Sequence, residues 1–68
     1  MTMIEYLLFL YKNKGILFYG EDRLSEVLKD DLEKALKSHF IEIEYKDNNQ
    51  IEYVALTQKG YDYINYLD

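Results

Sequence analysis

The chain has 68 residues, no cysteine and no proline, eight tyrosines and three phenylalanines, and a formal net charge of −5. That length supports one domain spanning 1–68, with a core that is small for its surface. The lack of thiols excludes disulfides, cysteine nucleophiles and cysteine-based zinc sites, and it fits a reducing compartment. The acidic excess restricts any contact with phosphate to a few cations gathered on one face, because Lys and Arg supply the counterion-release part of nucleic-acid affinity.

Met1 to Tyr11 is apolar, but Glu5 interrupts it and it falls well short of the ~20 residues that cross a bilayer. No basic residue precedes it and no small-residue cleavage site follows, so neither a membrane span nor a secretory signal is expected and the expected location is cytoplasmic.

From Met3 to Tyr11 the spacing predicts a helix. Ile4, Leu7, Leu8 and Tyr11 form one stripe, while Tyr6, Phe9 and Leu10 lie on the other side. A helix apolar almost all round is either fully buried or shared with a partner. Asn13-Lys14-Gly15 ends it, glycine being the natural left-handed residue past a helix terminus. Ile16 to Tyr19 reads as a brief buried strand closed by Gly20.

Glu21 to His39 is helical in pattern, with Leu24, Val27, Leu28, Leu32, Ala35, Leu36 and His39 inward. Asp30-Asp31-Leu32-Glu33 has the form of a capping box. It predicts two helices joined by a tight turn near Lys29, with Asp30–Lys34 and Glu33–Lys37 as i,i+4 ion pairs. The apolar spacing runs unbroken through that turn, so a single rod from Glu21 through His39 is the alternative. Phe40 to Tyr45 then alternates, placing Ile41, Ile43 and Tyr45 toward a core and Glu42 and Glu44 toward water. Asp47 to Gln50 is a turn, Ile51 to Leu56 the returning strand, and Thr57 caps a last helix whose Tyr61, Ile64 and Leu67 share a face.

Little in the chain points to catalysis. His39 is the only histidine and sits near a helix end, where it serves structure. One His without Cys makes a poor transition-metal site. The carboxylates of Glu42, Glu44, Asp30 and Asp31 lie at exposed strand or helix-start positions rather than in a buried acid–base pair. Gly15, Gly20 and Gly60 are isolated, so no phosphate-binding loop is present. No catalytic residue, metal, cofactor or small-molecule substrate is therefore expected, and the chain does not read as an enzyme.

One segment is more specific. Tyr53-Val54-Ala55-Leu56-Thr57-Gln58-Lys59-Gly60, followed by Tyr61, resembles the tyrosine–x–x–leucine–threonine–x–lysine–glycine signature that closes the wing of many small bacterial, archaeal and viral winged-helix regulators. Leu32 to Ile43, a helix followed by an alternating strand, also looks like a recognition helix running into a wing. The resemblance implies an α+β fold of the winged helix-turn-helix type. Its elements would run α-β-α-α-β-β-α, with a short three-stranded antiparallel sheet. It leaves function open, since winged helices bind both DNA and proteins.

Two readings follow from that likeness. The first is a dimeric regulator of double-stranded DNA, a repressor or a binder of a replication or segregation site of a mobile element. The resemblance then makes Asp31 to His39 the recognition helix and Lys46 to Gln50 the wing tip. Lys34, Lys37, Ser38, Lys46, Asn48 and Asn49 are the implied DNA contacts. A homodimer would pair through Tyr6, Phe9 and Leu10 together with Tyr63 and Tyr66, unless Ile16-Leu17-Phe18 covers that patch within one subunit. The second reading is an acidic adaptor or inhibitor that binds a basic protein partner through Asp30, Asp31, Glu33, Glu42 and Glu44.

Overall fold

The computed structural model describes residues 1–67. The elements are α1 (Met3–Lys12), β1 (Ile16–Phe18), a one-turn 3-10 helix (Leu24–Glu26), α2 (Lys29–Lys37), β2 (Ile41–Tyr45), β3 (Ile51–Leu56) and α3 (Gln58–Leu67). The fold is thus α+β, with three α-helices and a three-stranded antiparallel sheet ordered β1-β3-β2. That architecture is compatible with a winged-helix shape. None of these helices is long and apolar enough to cross a membrane.

Helix α1 starts where it does because Thr2 and Glu5 form a reciprocal cap. The Thr2 hydroxyl accepts from the Glu5 amide and the Glu5 carboxylate accepts from the Thr2 amide, at 3.3 and 2.9 Å. These bonds hold the Glu5 carboxyl below its ordinary pKa. Past Asn13 the chain turns through Lys14 and Gly15, both with positive φ, and the Gly15 amide closes back on the Leu10 carbonyl at 2.7 Å. A side chain at Gly15 would also collide with the Tyr61 phenol, so residue 15 serves two constraints at once.

The largest departure from expectation lies between residues 19 and 29. The helix predicted to begin at Glu21 does not form, and neither does the single rod through His39. Gly20 and Arg23 take left-handed backbone, the Asp22 carboxylate accepts from the Leu24 amide, and only one 3-10 turn follows. Val27 and Leu28 are then extended, with ψ of 135° and 138°. Helical backbone is therefore interrupted at Val27 and Leu28, just before Lys29, by an extended pair rather than a tight turn, and a single 3-10 turn replaces the first helix of the pair. The predicted order carries one α-helix too many.

The expected capping box at Asp30 is also absent. Helix α2 begins at Lys29, its N-cap is Leu28, and no side chain caps it. Asp30 and Asp31 instead occupy its first turn, while Lys34 and Lys37 occupy its last. Each charge then meets the favourable end of the helix dipole, worth about 0.3–1 kcal/mol apiece. The acidic start of α2 thus supports a helix that has no polar cap. Neither predicted i,i+4 ion pair closes; among the described residues the salt bridge that forms is Arg23–Glu26, at 2.6 Å. His39, expected inward, is exposed at a left-handed position past the helix, and Leu28 and Leu36 are exposed as well.

The core lies between the helices and one face of the sheet. Leu17, Val54, Ile41 and Leu56 project from the strands and meet Tyr6, Leu7, Leu10, Val27, Ala35 and Ile64. Cross-strand register sets Leu17 and Ile43 on either side of Val54, and Ile41 opposite Leu56. A register shift between Glu44 and Tyr45 ends that alternation, which is why Tyr45, expected in the core, is exposed.

The β3–α3 junction explains the segment that carries the winged-helix resemblance. The Thr57 hydroxyl accepts from the Gly60 amide at 3.1 Å and donates to the His39 carbonyl. Gly60 is buried, and a Cβ there would run into the Phe40 carbonyl and the Leu56 side chain. Phe40 itself stacks on Tyr63 with ring centroids 4.4 Å apart. Replacing Gly60 by Ala should therefore destabilise the protein by about 1–3 kcal/mol, the range for overpacking. Helix propensity alone would favour Ala by about 1 kcal/mol. A urea midpoint at or above the wild-type value would show that the close approach is not required.

Candidate nucleic-acid interface and the faces around it

Helix α2 is held by what comes before it. The Tyr6 side chain is 1% exposed, yet its hydroxyl reaches the Asp22 carbonyl and donates to it at 2.6 Å. Burial, and then the nearby Asp22 charge, hold the Tyr6 phenol above its ordinary pKa, so it stays a neutral donor. Three residues before α2, Glu26 is gripped by two nitrogens of Arg23 at 2.7 and 2.6 Å, and the same guanidinium lies 5.1 Å from the Phe9 ring centroid. The Leu28 amide donates to the Met1 carbonyl at 3.0 Å. Anchored in this way, the connector delivers Lys29 as the first residue of a helix with one side buried through Ala35 and the rest open.

The open side carries Lys29, Asp30, Glu33, Lys34 and Lys37, all exposed, with Ser38 half-buried at the C-cap. Lys34 and Lys37 lie on the last turn, toward β2. The wing tip is at the other end. A groove of about 500 Å³ is lined by Asn49, Gln50 and Ile51 on one wall and by Tyr19, Asp22, Leu24 and Leu32 on the other. The tip therefore approaches the acidic first half of α2 and the connector rather than Lys37 or Ser38. Within the tip, the Lys46 amide donates to the Gln50 carbonyl at 2.7 Å, and Asn49 sits at a positive φ of 64°. Asn48 is engaged locally, its side chain bonded to both the Gln50 amide and the Gln50 side chain. Among the described residues the side chains of Lys46, Asp47 and Asn49 are the groups of the tip that make no hydrogen bond or ion pair.

The aromatic residues expected at a dimer interface mostly belong to the interior. Tyr6 and Leu10 are 1% and 0% exposed, so neither can form a contact between copies. The reason is the connector, which crosses the side of α1 that bears Tyr6 and Phe9. Phe9 is half-buried under Arg23 and Tyr63 is half-buried against Phe40, leaving Tyr66 as the one open member at 84%. The apolar surface of α1 is its opposite stripe, Ile4, Leu8 and Tyr11, each between 40% and 48% exposed.

The acidic residues of the adaptor reading divide between two surfaces. Asp30, Asp31 and Glu33 lie on α2, whereas Glu42 and Glu44 project from the sheet face opposite the core. Lys29 is a member of the α2 surface that the sequence pattern misses, since finding it requires the helix start. Comparison of the chain with family models, with curated proteins and with solved structures gives no match.

The Tyr6 anchor can be checked directly. Tyr6→Phe keeps the ring and removes the donor, leaving the Asp22 carbonyl without its partner, a destabilisation of about 1 kcal/mol. Amide exchange should accelerate at Leu24, Val27 and Leu28 while β3 keeps its protection. Unchanged exchange in the connector would show that packing alone holds it.

Proposed function

We propose that the chain is a winged-helix protein that binds duplex DNA, with α2 as the recognition helix and the β2–β3 hairpin as the wing. The observation that carries this reading is the state of α2. It is a helix of its own, set off from the 3-10 turn by the extended pair Val27–Leu28, and it stands clear of the core on one side. It offers Lys29, Lys34 and Lys37 exposed and outside any ion pair among the described residues. An exposed helix followed by a hairpin is the geometry that inserts into a major groove while the wing touches the backbone. Ser38 adds a donor beside Lys37, whereas Lys46 and Asn49 would contact separately from the hairpin tip, nearer the start of α2. Asp30 and Asp31 oppose close approach at the helix start, so affinity rests on the lysines and falls steeply with salt. Repression, or marking of a replication or segregation site, is the role that suits so small a reader.

The test uses fluorescence anisotropy with duplexes at rising ionic strength. Lys34→Ala together with Lys37→Ala should weaken binding by at least about tenfold and lower the salt slope by about two, one for each phosphate no longer neutralised. Equal affinity and slope in the double variant would remove α2 from the interface.

The pairing of two copies is assigned to Ile4, Leu8 and Tyr11 of α1. They recur at i, i+4 and i+7 and carry no charge to repel a two-fold mate. Leu8→Glu should convert a dimer to a monomer in sedimentation velocity with α2 and DNA affinity per subunit intact. A wild-type chain that sediments as a monomer at all concentrations would end the dimer reading and leave the DNA reading to its own test.

A further inference from the structure

The sheet has a second face, and its chemistry is unlike that of α2. Register places Phe18 and Glu44 on either side of Tyr53, and Ile16 and Glu42 on either side of Ala55, so these side chains share the surface turned away from the core. None of them is buried; Phe18 is 55% exposed and meets Tyr53 edge-on at 6.3 Å. The three strands carry Glu42, Glu44 and Glu52 and not one Lys, Arg or His. The carboxylates crowd the tyrosine. Partial burial, followed by Glu44, Glu42 and Glu52, raises the Tyr53 phenol above its ordinary value. An aromatic strip edged by uncompensated negative charge is therefore open to solvent.

We infer that this outer sheet face, centred on Phe18 and Tyr53 and edged by Glu42, Glu44 and Glu52, docks a polypeptide segment that is both apolar and rich in Lys or Arg.

Charge selects the occupant. Nucleic acid is disfavoured, because phosphates would meet Glu42 and Glu44 with no cation among the strands, Lys46 lying past the end of β2 beside Glu52. A second copy is disfavoured, because a two-fold through this face would bring its glutamates against those of the mate, and like charges set against each other at an interface repel. A basic segment reverses both penalties. Its cations pair with the glutamates, its apolar residues cover Phe18 and Ile16, and the Tyr53 and Phe18 rings offer cation–π faces to Lys or Arg. The site is distinct from α2, so it does not rest on the DNA reading.

The experiment is an amide chemical-shift titration of the 15N-labelled chain with two synthetic peptides of equal length and charge. One alternates Lys with Leu and the other alternates Lys with Ser. The Lys–Leu peptide should bind saturably, with shifts centred on residues 16–18, 42–44 and 52–55, and the Lys–Ser peptide should bind at least about tenfold more weakly. Phe18→Ser, and separately Glu42→Gln with Glu44→Gln, should each weaken the Lys–Leu peptide by about tenfold while shifts of the core amides show the fold intact. Phe18→Ser should leave DNA affinity unchanged, which separates failure here from failure of the α2 assignment. Equal binding of the two peptides, shifts centred on Asp30, Asp31 and Glu33, or no saturable binding would overturn the proposal. So would shifts on this face that depend on protein concentration alone, which would assign it to self-association.

Discussion

The arrangement depends on one buried phenol. Tyr6 lies in the interior, but its hydroxyl ends at a backbone carbonyl of the connector, Asp22, at 2.6 Å. An isolated 3-10 turn of three residues has little stability of its own, since such turns close poor hydrogen bonds and bury little. Its backbone groups must be satisfied from elsewhere. The Asp22 carbonyl is met by Tyr6, the Leu24 amide by the Asp22 carboxylate, and the Leu28 amide by the Met1 carbonyl. With those bonds in place, Val27 enters the core and Leu28 stays extended, and α2 is free to begin at Lys29 in a direction of its own. Without them, residues 21–28 have the apolar spacing to continue into α2 as one helix, and α2 would not start as a separate element at Lys29.

That same interaction explains what the sequence could and could not reveal. The strands and the β3–α3 junction are legible because their signals are local. Alternation marks β2, Asn and Asp mark the turn, and Thr57 and Gly60 mark a cap and a close packing contact. The break before Lys29 is legible in place, but it is an extended pair after a 3-10 turn rather than a tight turn between two helices. Leu24, Val27 and Leu28 keep helical spacing, so periodicity alone predicts a helix there. What defeats it is a left-handed Arg23 and a hydrogen bond from Tyr6, sixteen residues upstream of Asp22, and no local pattern encodes either. The dimer patch misleads for the same reason. Tyr6, Phe9 and Leu10 look unpartnered in the sequence because the segment that covers them has the spacing of a helix. By contrast, the capping box that forms is Thr2-x-x-Glu5, a local pattern that the sequence reading, resting on apolar spacing from Met3, passes over.

The outer sheet face is half legible. Glu42 and Glu44 point away from the core by simple alternation, but their neighbours depend on register. Only the pairing of β1 with β3 brings Phe18 to Tyr53, and Phe18 read in isolation is one letter of a short apolar run. The bulge at Glu44/Tyr45 matters here too. It lets the wing twist away, removing Tyr45 from the core and leaving the end of the hairpin as an exposed polar tip.

Charge is sorted over this small surface by element. A net charge of −5 is not spread evenly. The sheet carries glutamates alone, and α2 carries three lysines against three acids, arranged so that the acids crowd its start and two of the lysines its end. The dipole explains that order without reference to any ligand, which means that the position of Asp30 and Asp31 is a stability feature that any DNA contact has to accommodate. It also explains why overall acidity is a poor guide to what each face meets. Lys34 and Lys37 share their helix with Asp30, Asp31 and Glu33, whereas Tyr53 is faced by Glu44, Glu42 and Glu52. Lys34 and Lys37 therefore act in a field set mainly by their own helix, and Phe18 and Tyr53 in one set mainly by Glu42, Glu44 and Glu52. The two proposed surfaces therefore differ in what each presents, lysines beside acids on α2 and carboxylates alone on the sheet, whatever the net charge of the whole.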